Sequence, residues 1–254
     1  MLKEKREEQI LELLEQHGSV EVSELCTLFG VTKMTIRRDL DKLESEGKIS
    51  RIHGGAVLSN TDVLLEKPLY VRLNTNTELK ERIARKALTL IHDGDKIFLS
   101  SGTTVYSLSR LLDNSRRLLV VTDGLNTALE LSKRTNISII VVGGELRSNT
   151  LATTGSFAEH MIRQFSFETA YIGVTAISSD GALYHGSLVE IGLYAELSQI
   201  AKKRVILADS AKLGRNDFVC VGHLRPGDTL ITDSAAPQEL LSIYADLGVT
   251  IIIA

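Results

Sequence analysis

The stretch Val31-Thr-Lys-Met-Thr-Ile-Arg-Arg-Asp-Leu40, followed by Lys48-Ile-Ser-Arg-Ile-His-Gly-Gly-Ala56, decides how the first part of the chain is read. Thr32 marks a helix start, because its hydroxyl can accept from the free backbone N–H groups of a first turn. Ile36, Leu40 and Leu43 follow at i, i+4 and i+7, which is one apolar face of a helix. Lys33, Met34, Arg37 and Arg38 fall off that face and stay available for a partner. Upstream, the apolar spacing predicts helices over roughly Lys3–Gln16 and Val22–Phe29, with a third over Lys33–Glu46. Gly18, Gly30 and Gly47 break them. A helix, a turn of about three residues and a second helix make a helix-turn-helix. Ile49–His53 and Ala56–Leu58 are expected to pair around Gly54-Gly55 as a small wing.

Charge is informative only locally. The 254 residues carry a net charge of −3, no global sign of nucleic-acid binding. Residues 33–51, however, hold six basic residues (Lys33, Arg37, Arg38, Lys42, Lys48, Arg51) against four acidic ones. Positive charge is thus concentrated where a groove-facing surface would lie. Arginine suits guanine, because its fork matches O6 and N7 in the major groove. Lys33, Met34 and Arg37 are expected near base edges, and Thr35 and Arg38 near phosphate. Arg51 and His53 in the wing would reach a neighbouring phosphate or the minor groove.

Residues 59–76 lack periodicity, contain Pro68 and read as a linker, so the expected domains are 1–58 and 77–254. In the larger one, Val/Ile-rich runs alternate with amphipathic stretches. The runs are Lys96–Leu99, Leu118–Val121, Ser138–Val142, Ala170–Ile172, Arg204–Ala208, Thr229–Thr232 and Thr250–Ile253. Such alternation predicts an α/β, Rossmann-like domain with a mostly parallel sheet covered on both faces. Small polar and glycine residues collect after the strands, at Ser100–Thr104, Thr122–Asn126, Gly143-Gly144 and Asp209–Lys212. Ligands in open α/β sheets bind at these strand ends.

Only two cysteines are present, Cys26 and Cys220, so neither a disulfide nor a metal site is expected, and no cofactor. The charged start Met1-Leu-Lys-Glu-Lys-Arg shows no signal peptide, and no run is long enough to span a membrane. A reducing cytoplasm fits.

Thr32–Leu40 with Arg51-Ile-His-Gly-Gly-Ala-Val57 resembles the DeoR family of bacterial transcription regulators. The resemblance continues through Asp93-Gly-Asp95, Ser101-Gly-Thr-Thr104, Gly143-Gly144, Leu207–Arg215 and Leu230-Ile-Thr-Asp233. It implies a winged helix-turn-helix joined to a larger sensor domain similar to ribose-5-phosphate isomerase, which often binds a phosphorylated sugar. It further implies a repressor of a sugar-catabolic operon whose partners are double-stranded operator DNA, a small-molecule effector and further copies of the chain, as dimer or tetramer.

Within the sensor domain, Ser101-Gly-Thr-Thr104 opens a helix after a strand. Its amides and the helix dipole favour an anion, and Gly102 permits close backbone approach. Hydroxyls of Ser101, Thr103 and Thr104 add donors. Gly143 and Gly144 form either a second close-approach loop or a turn. Lys212 is the best charged ligand contact, while Glu190 would bind sugar hydroxyls or complement a helix N-terminus. The chain departs from the family pattern at Ser100 and Thr175, where aspartate is common, at Asp123, where asparagine is usual, and at Tyr194, where lysine is frequent. A carboxylate at Asp123 would repel a phosphate unless Lys212 neutralises it. Two competing readings are a sugar-phosphate isomerase carrying a DNA-binding module, with Glu190 and Asp123 as its acid–base groups, and a helix-turn-helix used only for protein contacts.

Overall fold

The computed structural model of the protein describes residues 3–17, 19–52, 54–58 and 69–254. The chain forms two compact units, Met1–Thr75 and Asn76–Ala254.

In the first unit, α1 (Lys3–His17) is followed by β1 (Ser19–Glu21), α2 (Val22–Phe29), α3 (Lys33–Ser45), β2 (Ile49–Ile52), β3 (Gly55–Leu58) and α4 (Leu69–Asn74). Ile10 and Leu14 of α1, Leu25 of α2, and Ile36, Leu40 and Leu43 of α3 meet in one core with Ile49 and Ala56. Thr32 caps α3 by accepting from the Thr35 amide at 3.3 Å. The wing has three strands rather than two, in the order β1-β3-β2, all antiparallel. A three-residue strand is too short to carry a period-2 signal. Gly55 makes the third strand possible, since a Cβ there would stand 2.0 Å from the Val20 carbonyl oxygen. Of the stretch read as a linker, Leu69–Asn74 is helical, while 59–68 and His53 lie outside the described residues. A six-residue helix presents too little of a 3.6-residue period to be legible.

The second unit runs α5 (Thr77–Leu88), β4 (Lys96–Leu99), α6 (Thr103–Leu111), β5 (Leu118–Thr122), α7 (Leu125–Leu131), β6 (Ile137–Val141), β7 (Glu145–Arg147), β8 (Ala152–Thr154) and α8 (Ser156–Ile162). It continues with β9 (Phe167–Gly173), β10 (Ala176–Ile177), β11 (Ala182–His185), α9 (Ile191–Ile200), β12 (Ala201–Leu207), β13 (Val219–His223), β14 (Thr229–Thr232), α10 (Gln238–Asp246) and β15 (Thr250–Ile253). Seven strands make one parallel sheet, ordered β15-β14-β12-β9-β4-β5-β6. Alternation along each strand feeds two cores. Ile97 and Leu99 pack with Ile83 of α5 and Leu108 of α6 on one face. Phe98 packs on the other face with Ile162 of α8 and Leu197 of α9. Helices on both faces explain why the strands read as continuous apolar runs. The strand order reverses between β4 and β9, and such a switch point opens a crevice at the carboxyl ends. A β7–β8 hairpin and a small antiparallel sheet, β10-β11-β13, leave no pattern in the sequence.

Candidate nucleic-acid interface and effector site

The basic residues of 33–51 separate into two groups. Lys42 donates to Glu7 of α1 at 2.7 Å, Lys48 pairs with Glu46 at 2.7 Å, and Arg51 pairs with Asp41. The acids are equally occupied. Asp39 is buried against Arg6 of α1, with Nε donating at 2.6 Å and Nη2 at 3.1 Å, and Glu44 accepts from the Arg51 amide at 2.9 Å. Lys33, Arg37 and Arg38 remain. They are exposed, and among the described residues no hydrogen bond or ion pair holds their side chains. Met34 lies among them, 60% exposed. Because Ile36, Leu40 and Leu43 turn inward, these four side chains share the outward side of α3.

Two expected contacts take other roles. Arg51 does not project from the wing: its guanidinium donates to Asp41 and its amide to Glu44, so it staples β2 onto α3. Thr35 shares a hydrogen bond of 3.0 Å with the Thr32 hydroxyl at the helix start.

The second site forms where β4 and β9 end. Ser100 joins the two strands, donating from its amide to Tyr171 O and accepting from the Gly173 amide on its hydroxyl, both at 3.0 Å. A Cβ on Gly102 would lie 3.8 Å from the Gly173 Cα, so the two backbones pass in contact. Lys212 sits in a short 3-10 turn, Ser210–Lys212, and donates to Val174 O at 2.8 Å. Glu190, in the turn Leu188–Glu190, is buried. Arg147 donates to its Oε1 at 2.7 Å, and His185 Nδ1 lies 2.9 Å from its Oε2. The other His185 nitrogen donates to Gly173 O at 3.0 Å, and the Tyr194 hydroxyl reaches the same oxygen at 3.3 Å. The loops carrying Ser101, Glu190 and Lys212 therefore converge on Gly173-Val174. Arg147 and His185 escaped sequence reasoning because they lie on strands of three and four residues. Neither strand shows a period, and a charged residue inside a short half-apolar run was the only available signal.

Several of the expected effector residues already have contacts within the chain. Glu190 is an ion-pair member, not simply a helix-terminal acid. Gly144 is needed where the chain approaches itself, since a Cβ there would stand 2.5 Å from Thr154 O, while Gly143 faces open space. Ser101 is turned toward Asp123: the carboxylate accepts from the Ser101 amide at 2.6 Å and from its hydroxyl at 2.7 Å. Thr103 and Thr104 are buried at the start of α6, and among the described residues the Thr104 hydroxyl has no hydrogen-bond partner.

Burial pushes the Asp123 carboxyl up to about 6, with the two Ser101 donors opposing the rise and the charge of Glu190 adding to it. A carboxyl raised by folding keeps its proton in the native state below pH 6. Its charged form costs stability as pH rises through that value. Asp123→Asn is therefore expected to stabilise the protein at pH 8 by about 2–3 kcal/mol. Chemical denaturation at several pH values should show this gain shrinking as pH falls from 6 toward 4, and a pH-independent difference would contradict it.

The acid–base set of an isomerase is not assembled. Ser100 spends its hydroxyl on the Gly173 amide, Thr175 donates its own to Tyr184 O at 2.9 Å, and Glu190 is held by Arg147 and His185. Among the described residues no group of acids, histidines and cysteines could hold a metal ion, and no helix is long and apolar enough to cross a membrane.

A winged helix-turn-helix whose Lys33, Arg37 and Arg38 have no partner among the described residues, in one chain with a Rossmann-like domain, is the make-up of a DNA-binding transcription regulator. Residues 6–62 match the family model of the DeoR-like helix-turn-helix domain, and residues 75–234 match that of the DeoR C terminal sensor domain. The chain is 35% identical to the glycerol-3-phosphate regulon repressor of Escherichia coli (strain K12), over 97% of both chains. It is 34% identical to the lactose phosphotransferase system repressor of Lactococcus lactis subsp. lactis, over 94% of this chain and 95% of that one. Among solved structures, a ribose 5-phosphate isomerase A from Methanocaldococcus jannaschii aligns with a TM-score of 0.41 and 18% identity over 55% of each chain. The chain belongs to the DeoR family, and it is a regulator rather than an enzyme.

Proposed function

We propose that this regulator represses a carbohydrate-catabolism operon, binding double-stranded operator DNA through α3 and responding to a small metabolite at the ends of β4 and β9. The observation that carries the DNA-binding surface is the unpaired set Lys33, Arg37 and Arg38 on the outward side of α3. Lys33, Met34 and Arg37 approach base edges, Arg38 takes a phosphate, and Thr32 and Thr35 fix the helix start that presents them. His53 is a further candidate DNA contact, and Arg51 positions the wing. The effector, a phosphorylated sugar or a related metabolite, lies among Ser101, Gly102, Thr103, Thr104, Asp123, Glu190 and Lys212, with Gly143 and Gly144 shaping the adjoining hairpin. The two relatives' names support this reading, one referring to a glycerol-3-phosphate regulon and the other to a lactose phosphotransferase system.

The protein acts in the cytoplasm as a homo-oligomer, dimer or tetramer, so that two copies of α3 meet two half-sites. Effector binding shifts the balance between DNA-competent and DNA-incompetent arrangements. A coupling of about 1–3 kcal/mol gives a several-fold to hundredfold change in operator affinity. Footprinting on DNA recovered by selection tests the reading. Two protected half-sites separated by about one helical turn, roughly 34–36 Å, or a multiple of it, are expected. A chain that protects no DNA would refute it.

A further inference from the structure

The Ser101 corner offers an incoming ligand fewer donors than a bare Ser-Gly-Thr-Thr loop would. Asp123 already accepts from both the amide and the hydroxyl of Ser101, at 2.6 and 2.7 Å. The carboxylate is only 2% exposed. Its backbone is fixed from behind, because Thr153 donates to Asp123 O from its amide at 2.8 Å and from its hydroxyl at 3.1 Å. Gly124 keeps the neighbouring strand end close, since a Cβ there would stand 3.1 Å from the Ser101 Cα. This arrangement mimics an anion bound at a helix start, with the anion supplied by the chain itself.

The charges around the corner point the same way. Asp123, Glu190 and Asp209 are all buried carboxylates. Arg147 is engaged by Glu190, and Lys212 donates to Val174 O. Both cations are thus already engaged within the chain. Besides Glu190 Oε2 and Asp209 Oδ1, neutral groups of the loops next to Ser101 are left without a hydrogen bond among the described residues. They are the hydroxyls of Thr104 and Thr150, on residues 2% and 3% exposed, and both side-chain amide atoms of Asn126. Their segments are tied to the same corner, as the Leu125 amide donates to Leu151 O at 2.9 Å. Hydroxyl and amide groups both donate and accept, which matches sugar hydroxyls rather than a fully ionised phosphate.

We propose that Asp123 is a built-in occupant of the Ser101 donor pair, and that it sets specificity by barring phosphate from this corner and receiving an uncharged, hydroxyl-bearing sugar or polyol portion of the effector. A ligand hydroxyl donates to the remaining lone pairs of the Asp123 carboxylate, and Thr104, Asn126 and Thr150 read its neighbours. The proposal rests on the reading of these loops as the effector site.

Titration calorimetry of the full chain with inorganic phosphate at pH 8 tests it. Asp123→Asn frees the corner of its charge and is expected to bind phosphate at least tenfold more tightly than the parent. A smaller gain overturns the proposal. Ser101→Ala in the parent background is expected to leave phosphate affinity unchanged, because that hydroxyl is already committed to Asp123. A tenfold loss there overturns the proposal even if the asparagine variant does not fold. Operator binding by the same parent preparation separates the two levels. If operator affinity still responds to a metabolite but Asp123→Asn gains no phosphate affinity, the role of Asp123 alone is wrong. If no carbohydrate metabolite changes operator affinity, the effector-site reading itself fails.

Discussion

Arg38→Ala is expected to weaken operator binding about tenfold or more while leaving the melting temperature nearly unchanged. The side chain is exposed and bonded to nothing among the described residues, so its removal costs the fold little. In the proposed complex it takes a phosphate, and each such contact releases condensed counterions. The variant should therefore lose affinity roughly uniformly across DNA sequences, and the slope of log affinity against log salt should fall by about 1. Arg37→Ala should differ, relaxing preference at one base position, because a base-edge contact discriminates by ~1–3 kcal/mol. Fluorescence anisotropy over a range of salt concentrations reads both effects. Equal operator affinity for parent and Arg38→Ala would remove Arg38 from the interface.

Arg6→Ala is expected to have the opposite profile, with a large loss of stability in the first unit and a loss of DNA binding that follows from it. Arg6 and Asp39 form a two-bond ion pair whose side chains are 7% and 2% exposed. It links α1 to the inward side of α3. Removing the arginine strands a buried carboxylate, which costs roughly 3–5 kcal/mol. In a unit of this size that is a fall in melting temperature on the order of 10 °C or more. Amide exchange of α3 would register it independently of the second unit. The double variant Arg6→Leu with Asp39→Leu should recover most of the loss, because two apolar side chains leave no charge unpaired. A destabilisation under 1 kcal/mol for Arg6→Ala would show that the pair does not clamp α3.

The contrast between Arg6 and Arg38 shows where reading the sequence stops. Both are arginines on amphipathic helices, and their local patterns do not distinguish them. Pairing across 33 residues buries Arg6, while nothing among the described residues engages Arg38. The major elements were legible because their signals are local. Lys96–Leu99, Thr229–Thr232 and Thr250–Ile253 are short β-branched or apolar runs, and they are strands with those bounds. Val22–Phe29 is likewise the helix its spacing predicts. The β7–β8 hairpin and the small sheet β10-β11-β13 were not legible, since strands of two to five residues show no clear alternation. The β11–β13 pairing also slips register between Leu183 and Tyr184.

The candidate effector site was half legible for the same reason. Ser101-Gly-Thr-Thr104 announces a strand-to-helix turn, and it is one. Whether Ser101 points at a ligand or at Asp123 depends on a neighbouring strand end 22 residues away. The partner of Glu190 lies 43 residues earlier, on a hairpin no pattern revealed. Site chemistry here is set by contacts between loops, and loops carry little periodicity.

In the proposed mechanism, occupancy of the site at the ends of β4 and β9 controls the grip of α3 on DNA. Operator affinity of the full chain, measured at fixed salt with and without a panel of free sugars, polyols and sugar phosphates, tests it most directly. At least one compound should change the affinity by several-fold to about a hundredfold, and the change should be altered by Asp123→Asn. An operator affinity that no compound in the panel moves, on DNA that the protein binds specifically, would contradict the account.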